Sequence, residues 1–251
     1  MSRKTYFFVP GQGEEEYIIL ALLQTYKDRS MVSQLTEIIL LSLQVSGTAL
    51  LFSTLIGVPI GAMIGLTRFV GRRFVTALLY TGMGFPPVVV GLFVYLVLSR
   101  SGPLGKLSLS FIPQLFTPGA MVLAQTIIAF PLVAGFTMVA VMSVDPQLRQ
   151  QVMALGATRS QAVRTVLVEA RLGVLVSIVA GFGSIISEVG AVMLVGGNIQ
   201  DRTRVMTTAI VLETRKGNFD LAMALGIIVL GLTFVANLIM LRLQGRAFDE
   251  G

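Results

Sequence analysis

Five long apolar runs dominate this chain and limit the folds that are open to it. Each run holds roughly 20 or more mostly apolar residues, about the length that an α-helix needs to cross a 30 Å hydrocarbon core. Because that core excludes unpaired backbone groups, we expect each run to be helical. The sequence therefore predicts an all-α polytopic membrane protein with about five transmembrane helices, at residues 38–66, 74–98, 119–142, 172–195 and 221–241.

The composition agrees with a membrane protein. Hydrophobic residues make up 54% of the 251 residues and charged residues only 13%, whereas a soluble domain carries about 25% charged residues. The spans take up most of the chain, so we predict one transmembrane domain at 31–246 and a short C-terminal tail at 247–251. Residues 1–30 are predicted to be an N-terminal extension of uncertain order, because the apolar run at 17–23 is too short for a signal peptide. Met31 is an alternative start.

The basic residues predict the orientation in the membrane rather than a nucleic-acid partner. The net charge is +6, but the Lys and Arg residues sit in short loops beside apolar runs. The loops after spans one, three and five hold nine of the nineteen Lys and Arg residues, and Arg68, Arg72 and Arg73 stand together without an acid. The positive-inside rule then places these loops in the cytoplasm. The N-terminus is predicted to lie on the outer side of the cell membrane and the C-terminus in the cytoplasm.

Two missing residue types argue against an enzyme. The sequence has no Cys and no His, which removes thiolate nucleophiles, disulfides, the commonest general base and the commonest metal ligands. The four lysines all lie in loops or termini. We therefore expect no catalytic, metal or cofactor-binding residues on this chain.

Several residues inside the spans have more than one interpretation. Gly57, Gly61 and Gly65 place three bare backbone patches on one helix face, for packing within the chain or between subunits. Pro86 and Pro87 predict a kink, which is either structural or lines a translocation path. Glu188, the single acid within a predicted span, is either hydrogen-bonded at a helix interface, part of a gate, or a proton carrier.

The region after span four is predicted to leave the membrane and return. Gly196 and Gly197 end the span, and Asn198 suits the turn that follows. The segment then predicts a short, partly apolar helix on the outer face with Arg202 and Arg204 near its start. These arginines either attract an anion or an acidic partner or belong to an ordinary solvated loop. Asp220 is predicted to be the N-cap of span five.

The polar stretch at residues 145–171 predicts a helical hairpin. Asp145 and Pro146 form an N-cap and first-turn pair, Gly156 stops the first helix, and Thr158 caps the second. Leu148, Val152 and Leu155 recur on one face of the first helix. Such a hairpin either lies on the lipid surface or docks into a groove on another protein.

The sequence of this hairpin resembles the cytoplasmic EAA loop of importer-type ABC transporter permeases, a motif of the form EAA, three residues, G, nine residues, I, one residue, LP. With Gly156 as the glycine, positions 150–152 read QQV, Val166 takes the place of I, and Val168 and Glu169 take the place of LP. The glycine and the apolar positions match, while the leading Glu and the Pro do not. Further stretches across about residues 38–246 resemble the molybdate, tungstate and sulfate branch of these permeases, namely "LLSLQVSGTALLFSTLIGVPIGAMIG", "FPPVVVGLFVYLVLSRSGPLG" and "ISEVGAVMLVGGNI". Within this branch, "VEARLG", "ISEVGAVMLVGGNI" and "GNFDLAMALG" most resemble the tungstate-specific permease.

This resemblance implies the type I ABC importer permease fold and a set of partners. These are a second permease copy in a homodimer, two ATP-binding subunits that carry the ATP and Mg, and an extracytoplasmic oxyanion-binding protein. The absence of a GxxxxGK[ST] phosphate loop fits ATP binding on another chain. The implied ATPase-coupling residues are Gln150, Gln151, Val152, Met153, Ala154, Leu155, Gly156, Ala157, Thr158 and Arg159.

The expected cargo is a tetrahedral oxyanion, tungstate first, with molybdate or sulfate as the alternative. No basic residue lies within the predicted spans, so we hypothesise a path lined by weak neutral donors. The candidate pore or gate residues are Pro86, Pro87, Ser187, Glu188 and Gly190. The rival functions are an ATP-independent transporter or channel, which gives the hairpin no purpose, and a membrane scaffold, which leaves the broken spans unexplained.

Overall fold

The computed structural model describes residues 14–107 and 112–248, and within them every regular element is helical. The prediction of an all-α fold is confirmed. The chain divides at Glu37 into two units, and the second unit, residues 38–251, holds the helix bundle. The predicted extension 1–30 and tail 247–251 lie partly outside the described residues. The helices are α1 (Glu14–Leu66), α2 (Arg72–Met83), α3 (Pro87–Leu98), α4 (Pro118–Met142), α5 (Pro146–Ala154), α6 (Arg159–Glu169), α7 (Arg171–Ile186), α8 (Gly190–Gly196), α9 (Met206–Arg215) and α10 (Phe219–Phe248).

The predicted number of transmembrane spans agrees with the structure. Three stretches are long and apolar enough to cross a membrane alone, namely Ser33–Leu66, Pro118–Met142 and Phe219–Arg242. Two bent helix pairs supply the other candidates: α2 and α3 meet at 100°, and α6 and α7 at 63°. The described residues therefore offer up to five spans.

Two of the predicted spans are broken rather than continuous. The second predicted span bends between α2 and α3 because Pro86 is extended and Pro87 starts a new helix, which is a much larger change than the predicted kink. The fourth predicted span, 172–195, is wrong as a single helix, since α7 ends at Ile186 and the separate helix α8 begins at Gly190.

The prediction for Asp220 is also wrong. α10 begins at Phe219, so Asp220 lies inside its first turn and is not its N-cap. The carbonyl of Asn218 accepts a hydrogen bond from the Ala222 N–H at 3.2 Å, which makes the helix start earlier than the acid. An acidic side chain in the first turn still favours the positive end of the helix dipole.

Helix α4 is the centre of the bundle. It packs against α2, α3, α7 and α8, and the largest buried cluster combines residues of α1, α3, α4, α7 and α8. Met121 and Met138 of α4 are almost completely buried. In α10, by contrast, only 11% of the most hydrophobic stretch is buried, so most of its apolar side chains are exposed on the surface of the bundle.

The three glycines of α1 allow its backbone to approach α4 closely, as predicted. A Cβ atom on Gly57 would lie 3.1 Å from Val133 Cγ1, and one on Gly65 would lie 3.1 Å from the Met138 carbonyl oxygen. A Cβ atom on Gly61 would collide with the carbonyl oxygen of Ala134. Packing within the chain therefore explains this glycine pattern.

Replacing Gly61 with Ala should destabilise the protein by about 1–3 kcal/mol, because a helix backbone must move to admit the methyl group. The control is Gly47→Ala in the same helix, where no atom lies within 4 Å of the new Cβ. This control should be neutral or stabilising by less than about 1 kcal/mol. Thermal unfolding of the two purified variants in detergent measures the difference, and equal melting temperatures would contradict the close approach.

Candidate functional site

The polar hairpin forms as predicted and is capped at each helix start. The Asp145 carboxylate accepts a hydrogen bond from the Gln147 N–H at 2.8 Å, with Pro146 at the first position of α5. Thr158 and Gln161 form a reciprocal capping box at the start of α6, with distances of 2.8 Å and 3.3 Å. Local hydrogen bonds thus fix both helices of the hairpin.

The turn between the two hairpin helices depends on Gly156. Its φ of +90° is a conformation that favours glycine, and it has open space around it. The Gly156 N–H donates to the Met153 carbonyl at 3.0 Å, and the Ala157 N–H donates to the Val152 carbonyl at 3.2 Å. This pair of bonds is the Schellman arrangement that ends a helix and turns the chain back.

The tip of the hairpin is exposed. α5 contains no buried residue, and Leu155 is 88% exposed although it is a large apolar side chain. Of the predicted coupling residues 150–159, only Val152 and Ala157 are half-buried, and the others are exposed. Leu148 and Val152 are half-buried, so the predicted apolar stripe rests on this chain at those two positions while Leu155 is left free.

The base of the hairpin is attached to the bundle. Ala162 and Val166 of α6 are buried, and Val166 clusters with Ala62 of α1 and Val141 of α4. The guanidinium of Arg149 also donates to the Leu66 carbonyl at the end of α1, at 3.2 Å. The hairpin base therefore contacts both α1 and α4, and α6 leads directly into α7.

The candidate pore residues meet where α3 and α8 begin. Pro87 starts α3, and a Cβ atom on Gly190, at the start of α8, would collide with Val88 of α3. One turn further on, a Cβ on Gly91 would lie 2.5 Å from Ala191 Cα. The structure thus brings Pro87 and Gly190 into one neighbourhood. The hairpin that carries the predicted coupling residues joins the other end of α7, a helix of 16 residues that is about 24 Å long.

Glu188 is hydrogen-bonded through both its side chain and its backbone. Its Oε1 accepts from the Ala191 N–H at 2.9 Å, and its carbonyl accepts from the Thr207 hydroxyl at 2.8 Å. The neighbouring Ser187 hydroxyl is exposed and donates to the Gly183 carbonyl at 2.8 Å. These contacts favour the structural interpretation of Glu188, in which its carboxylate satisfies the first turn of α8.

Sequence reasoning missed Gln125, which lies in the middle of this arrangement. Gln125 is 3% exposed in α4, and its amide donates to the Ile185 carbonyl, in the last turn of α7, at 2.9 Å. Its Oε1 has no hydrogen-bond partner among the described residues. The available signal was a single side-chain amide in a 25-residue helix that has no charged residue.

The segment after α8 is folded onto the bundle. Gly197 adopts a φ of +73° and ends α8, as predicted. The predicted short helix is α9, which begins at Met206, just after Arg202 and Arg204. The Met206 N–H at the start of α9 donates to the buried hydroxyl of Ser42 in α1 at 2.8 Å. Arg202 is exposed, whereas Arg204 is half-buried.

A charged cluster closes the end of α9. Glu213 is 9% exposed and accepts hydrogen bonds from Lys216 at 2.8 Å and from Asn218 at 3.1 Å. The hydrogen bond from Lys216 is the main cause of a lowered pKa for the Glu213 carboxyl, with smaller contributions from Asn218 and Arg204 and an opposing one from burial. The cluster ties the end of α9 to the turn before α10.

The described part of the chain contains no group of three or more His, Cys, Asp or Glu side chains that could hold a metal ion.

Comparisons with known proteins agree on one family. The family model for the binding-protein-dependent transport system inner membrane component matches residues 57–248. A probable anion ABC transporter permease protein of Haloferax volcanii is 44% identical over 220 residues, covering 86% of this chain and 93% of that protein. The tungstate uptake system permease protein TupB of Peptoclostridium acidaminophilum is 37% identical, covering 84% and 90% of the two chains. The molybdenum transport system permease protein ModB of Escherichia coli is 30% identical, covering 81% and 90%.

Solved structures agree on the fold. A chain of the inward-facing MetNI methionine ABC transporter superposes with a TM-score of 0.70 at 17% identity, covering 85% of this chain and 96% of that one. A chain of a bacterial alginate ABC transporter in complex with a pentasaccharide-bound periplasmic protein gives a TM-score of 0.67 at 27% identity, covering 85% and 79%.

The structural role of Glu188 predicts different outcomes for two substitutions. Glu188→Gln keeps an oxygen acceptor for the Ala191 N–H, so it should retain nearly all of the stability, whereas Glu188→Ala should lower the free energy of unfolding by about 1 kcal/mol. Glu169→Ala, at an exposed carboxylate, is the control and should change little. A Glu188→Gln variant that is as unstable as Glu188→Ala would show that the negative charge, rather than the acceptor, is required.

Glu213 predicts a pH dependence of stability. Because its folded pKa is lowered, its stabilisation is present above the ordinary value of 4.5 and is lost as the pH falls through the folded pKa. Glu213→Gln should therefore be less stable than the wild type at pH 7, by about 0.5 kcal/mol because Lys216 is half exposed. The difference should shrink below pH 4.5. Melting temperatures across this range test it, with Asp201→Asn at an exposed turn as the control; a difference that grows with acid would contradict the sign.

Proposed function

Because the chain belongs to the family of binding-protein-dependent transport system inner membrane components, we propose that it is the permease subunit of an ATP-driven importer for a tetrahedral oxyanion, tungstate in the first place. Relatives named for an anion, for tungstate and for molybdenum each align with more than four-fifths of the chain. Molybdate and sulfate are the alternative cargoes, since they share the tetrahedral geometry and the charge of tungstate. The chain is a multi-pass protein of the inner membrane.

The observation that carries the proposal is the exposed hairpin tip on an attached base. Leu155 is 88% exposed, while the hairpin helices are fixed by caps and the base is buried against α1 and α4. A soluble partner that covers Leu155 gains apolar contact and moves the hairpin of α5 and α6 as a rigid body. In the proposed complex, two ATP-binding subunits that hold the ATP and Mg contact residues 150–159 of two permease copies.

The hairpin of α5 and α6 is connected through α7 to the candidate gate residues at the starts of α3 and α8. α6 continues into α7 through a bend of 63°, and α7 ends at Ile186. In its last turn the Ile185 carbonyl accepts hydrogen bonds from the Gln125 side-chain amide and from the Glu188 N–H. Movement of the hairpin by ATP-driven closure therefore displaces the start of α8 relative to α3. Because α3 and α8 touch at Gly91 and Gly190, a rotation there opens or closes the contact.

The proposed path binds the anion weakly. No basic residue lies in α3, α4 or α8, and the one in α7 is its first residue, Arg171. Near the break between α7 and α8, Gln125 and Glu188 are engaged in hydrogen bonds within the chain, whereas the neutral side chain of Ser187 is exposed. Weak neutral donors around Pro86, Pro87 and Ser187 would let a dianion pass without trapping it. Selectivity then resides in an extracytoplasmic binding protein that delivers the oxyanion. The proposed orientation puts the hairpin and the C-terminus in the cytoplasm.

Vanadate-sensitive ATP hydrolysis by the chain, reconstituted with its ATPase and binding protein, tests this function. Tungstate should stimulate hydrolysis at a lower concentration than molybdate or sulfate, and Gly156→Pro should abolish the stimulation, since proline cannot adopt the φ of +90°. Gly217→Pro is the matched control, because Gly217 also has a positive φ, of +77°, with open space around it, but lies between α9 and α10.

Two results would contradict the proposal. Stimulation that persists in Gly156→Pro, or that is lost equally in Gly217→Pro, would show that the hairpin has no specific role in coupling ATP hydrolysis to transport. Transport by the isolated chain without ATP would favour the secondary transporter instead.

A further inference from the structure

A cavity of about 490 Å³ lies where α1 ends and α2 begins, and it combines an apolar wall with a basic rim. The wall is formed by Phe69, by Tyr80 of α2, and by Met138 and Met142 of α4. The rim is formed by three arginines within six residues, Arg68, Arg72 and Arg73. The transport function proposed above makes no use of this cavity.

None of the carboxylates that the structure describes forms an ion pair with the three guanidinium groups of the rim. No carboxylate lines the cavity, and among the side chains that the structure describes the one ion pair joins Lys216 and Glu213. Arg72 is held in place, because its Nη2 donates to the Gly65 carbonyl and contacts Met142 Sδ, both at 3.2 Å. Arg68 and Arg73 are exposed. Three neighbouring cations repel each other, so the rim favours a bound anion.

Large apolar side chains beside the rim arginines in sequence are exposed. Val70 is fully exposed, Phe74 is 73% exposed and Phe69 is 42% exposed. Exposed apolar groups beside arginines are typical of a segment at the level of lipid headgroups, where the side chains reach the hydrocarbon and the guanidiniums reach the phosphates. The turn lies at the same end of the bundle as the hairpin, since Arg149 of α5 contacts the Leu66 carbonyl.

We propose that this cavity binds an acidic phospholipid. Its phosphate contacts Arg68, Arg72 and Arg73, and the upper part of one acyl chain lies against Met138 and Met142 of α4. The apolar wall decides between a lipid and a free anion, because inorganic phosphate or an oxyanion would leave that wall unoccupied. The negative headgroup decides between an acidic and a zwitterionic lipid, because a choline or ethanolamine cation would lie beside three arginines.

Native mass spectrometry of the full-length chain tests the proposal, with titration of phosphatidylglycerol or phosphatidylcholine of the same acyl chains. Phosphatidylglycerol should bind more tightly than phosphatidylcholine. Arg68→Gln combined with Arg73→Gln should weaken phosphatidylglycerol binding by about 30-fold, since each cation near an acidic headgroup contributes roughly five-fold. The pair Arg68→Lys and Arg73→Lys keeps the charge and should lose less than about five-fold.

The control removes the same charge from the same end of the bundle. Arg171→Gln with Arg242→Gln changes two exposed arginines that do not line the cavity, at the start of α7 and toward the end of α10. This double variant should bind phosphatidylglycerol within about two-fold of the wild type, because the two arginines make no contact with the bound phosphate. Arg72 is left intact in every variant because its contacts support the fold.

Several outcomes would overturn the proposal. Equal binding of the two lipids by the wild type would show that the site does not recognise the headgroup charge. An equal loss of phosphatidylglycerol affinity in the control variant would show only an effect of net charge. Complete displacement of phosphatidylglycerol by inorganic phosphate would mean that the site recognises a free anion. If the Gln variant fails to fold, as judged by its melting temperature, the wild-type lipid comparison and the Lys variant still decide the question.

Discussion

Backbone hydrogen bonding at the two helix breaks is the constraint on which the rest of this structure depends. A helix that stops inside an apolar bundle exposes N–H and C=O groups that lipid cannot satisfy. At the break between α7 and α8, the Ile185 carbonyl accepts from Gln125, the Glu188 carbonyl accepts from Thr207, and the Glu188 carboxylate accepts from Ala191. Donors from three different helices, α4, α8 and α9, thus satisfy the backbone and side-chain acceptors at this break.

The break between α2 and α3 is satisfied more locally. The N–H groups of Gly84 and Phe85 donate to the carbonyls of Thr81 and Gly82, and the Pro86 carbonyl accepts from the Val89 N–H at 2.9 Å. Pro86 and Pro87 have no N–H to satisfy, so the sharp bend leaves few groups unpaired. The break between α2 and α3 is therefore stabilised by local hydrogen bonds, whereas the break between α7 and α8 depends on tertiary contacts. A shift of the neighbouring helices consequently alters the break between α7 and α8 more readily.

The sequence predicts the features that depend on local chemistry. The structure confirms the hairpin, its N-caps at Asp145 and Thr158, and its turn at Gly156. It also confirms that the helix face with Gly57, Gly61 and Gly65 packs closely against a neighbouring helix. Each follows from a residue whose conformational or hydrogen-bonding preference is strong on its own, so no knowledge of the neighbouring helices is needed.

The features that sequence reasoning missed depend on tertiary contacts. The segment 172–195 is apolar throughout and looks continuous, but a partner amide from Gln125 and a hydroxyl from Thr207 compensate a break that periodicity does not show. The start of α10 before Asp220 likewise follows the turn that Glu213 and Asn218 hold together. Hydropathy measures the preference of a segment for lipid, and it contains no term for polar partners that arrive from distant parts of the chain.

The same reasoning explains how one fold serves anions that differ so little. A site that selects among tetrahedral dianions needs several fixed charged or strong donors, and those donors would hold the ion tightly inside the membrane. At the break between α7 and α8 the strong polar group is instead engaged within the chain, since the Glu188 carboxylate accepts from the Ala191 N–H, and the exposed side chain beside it, Ser187, is neutral. In the proposed importer the permease therefore contributes movement and a permissive path, and discrimination among oxyanions falls to the protein that delivers them.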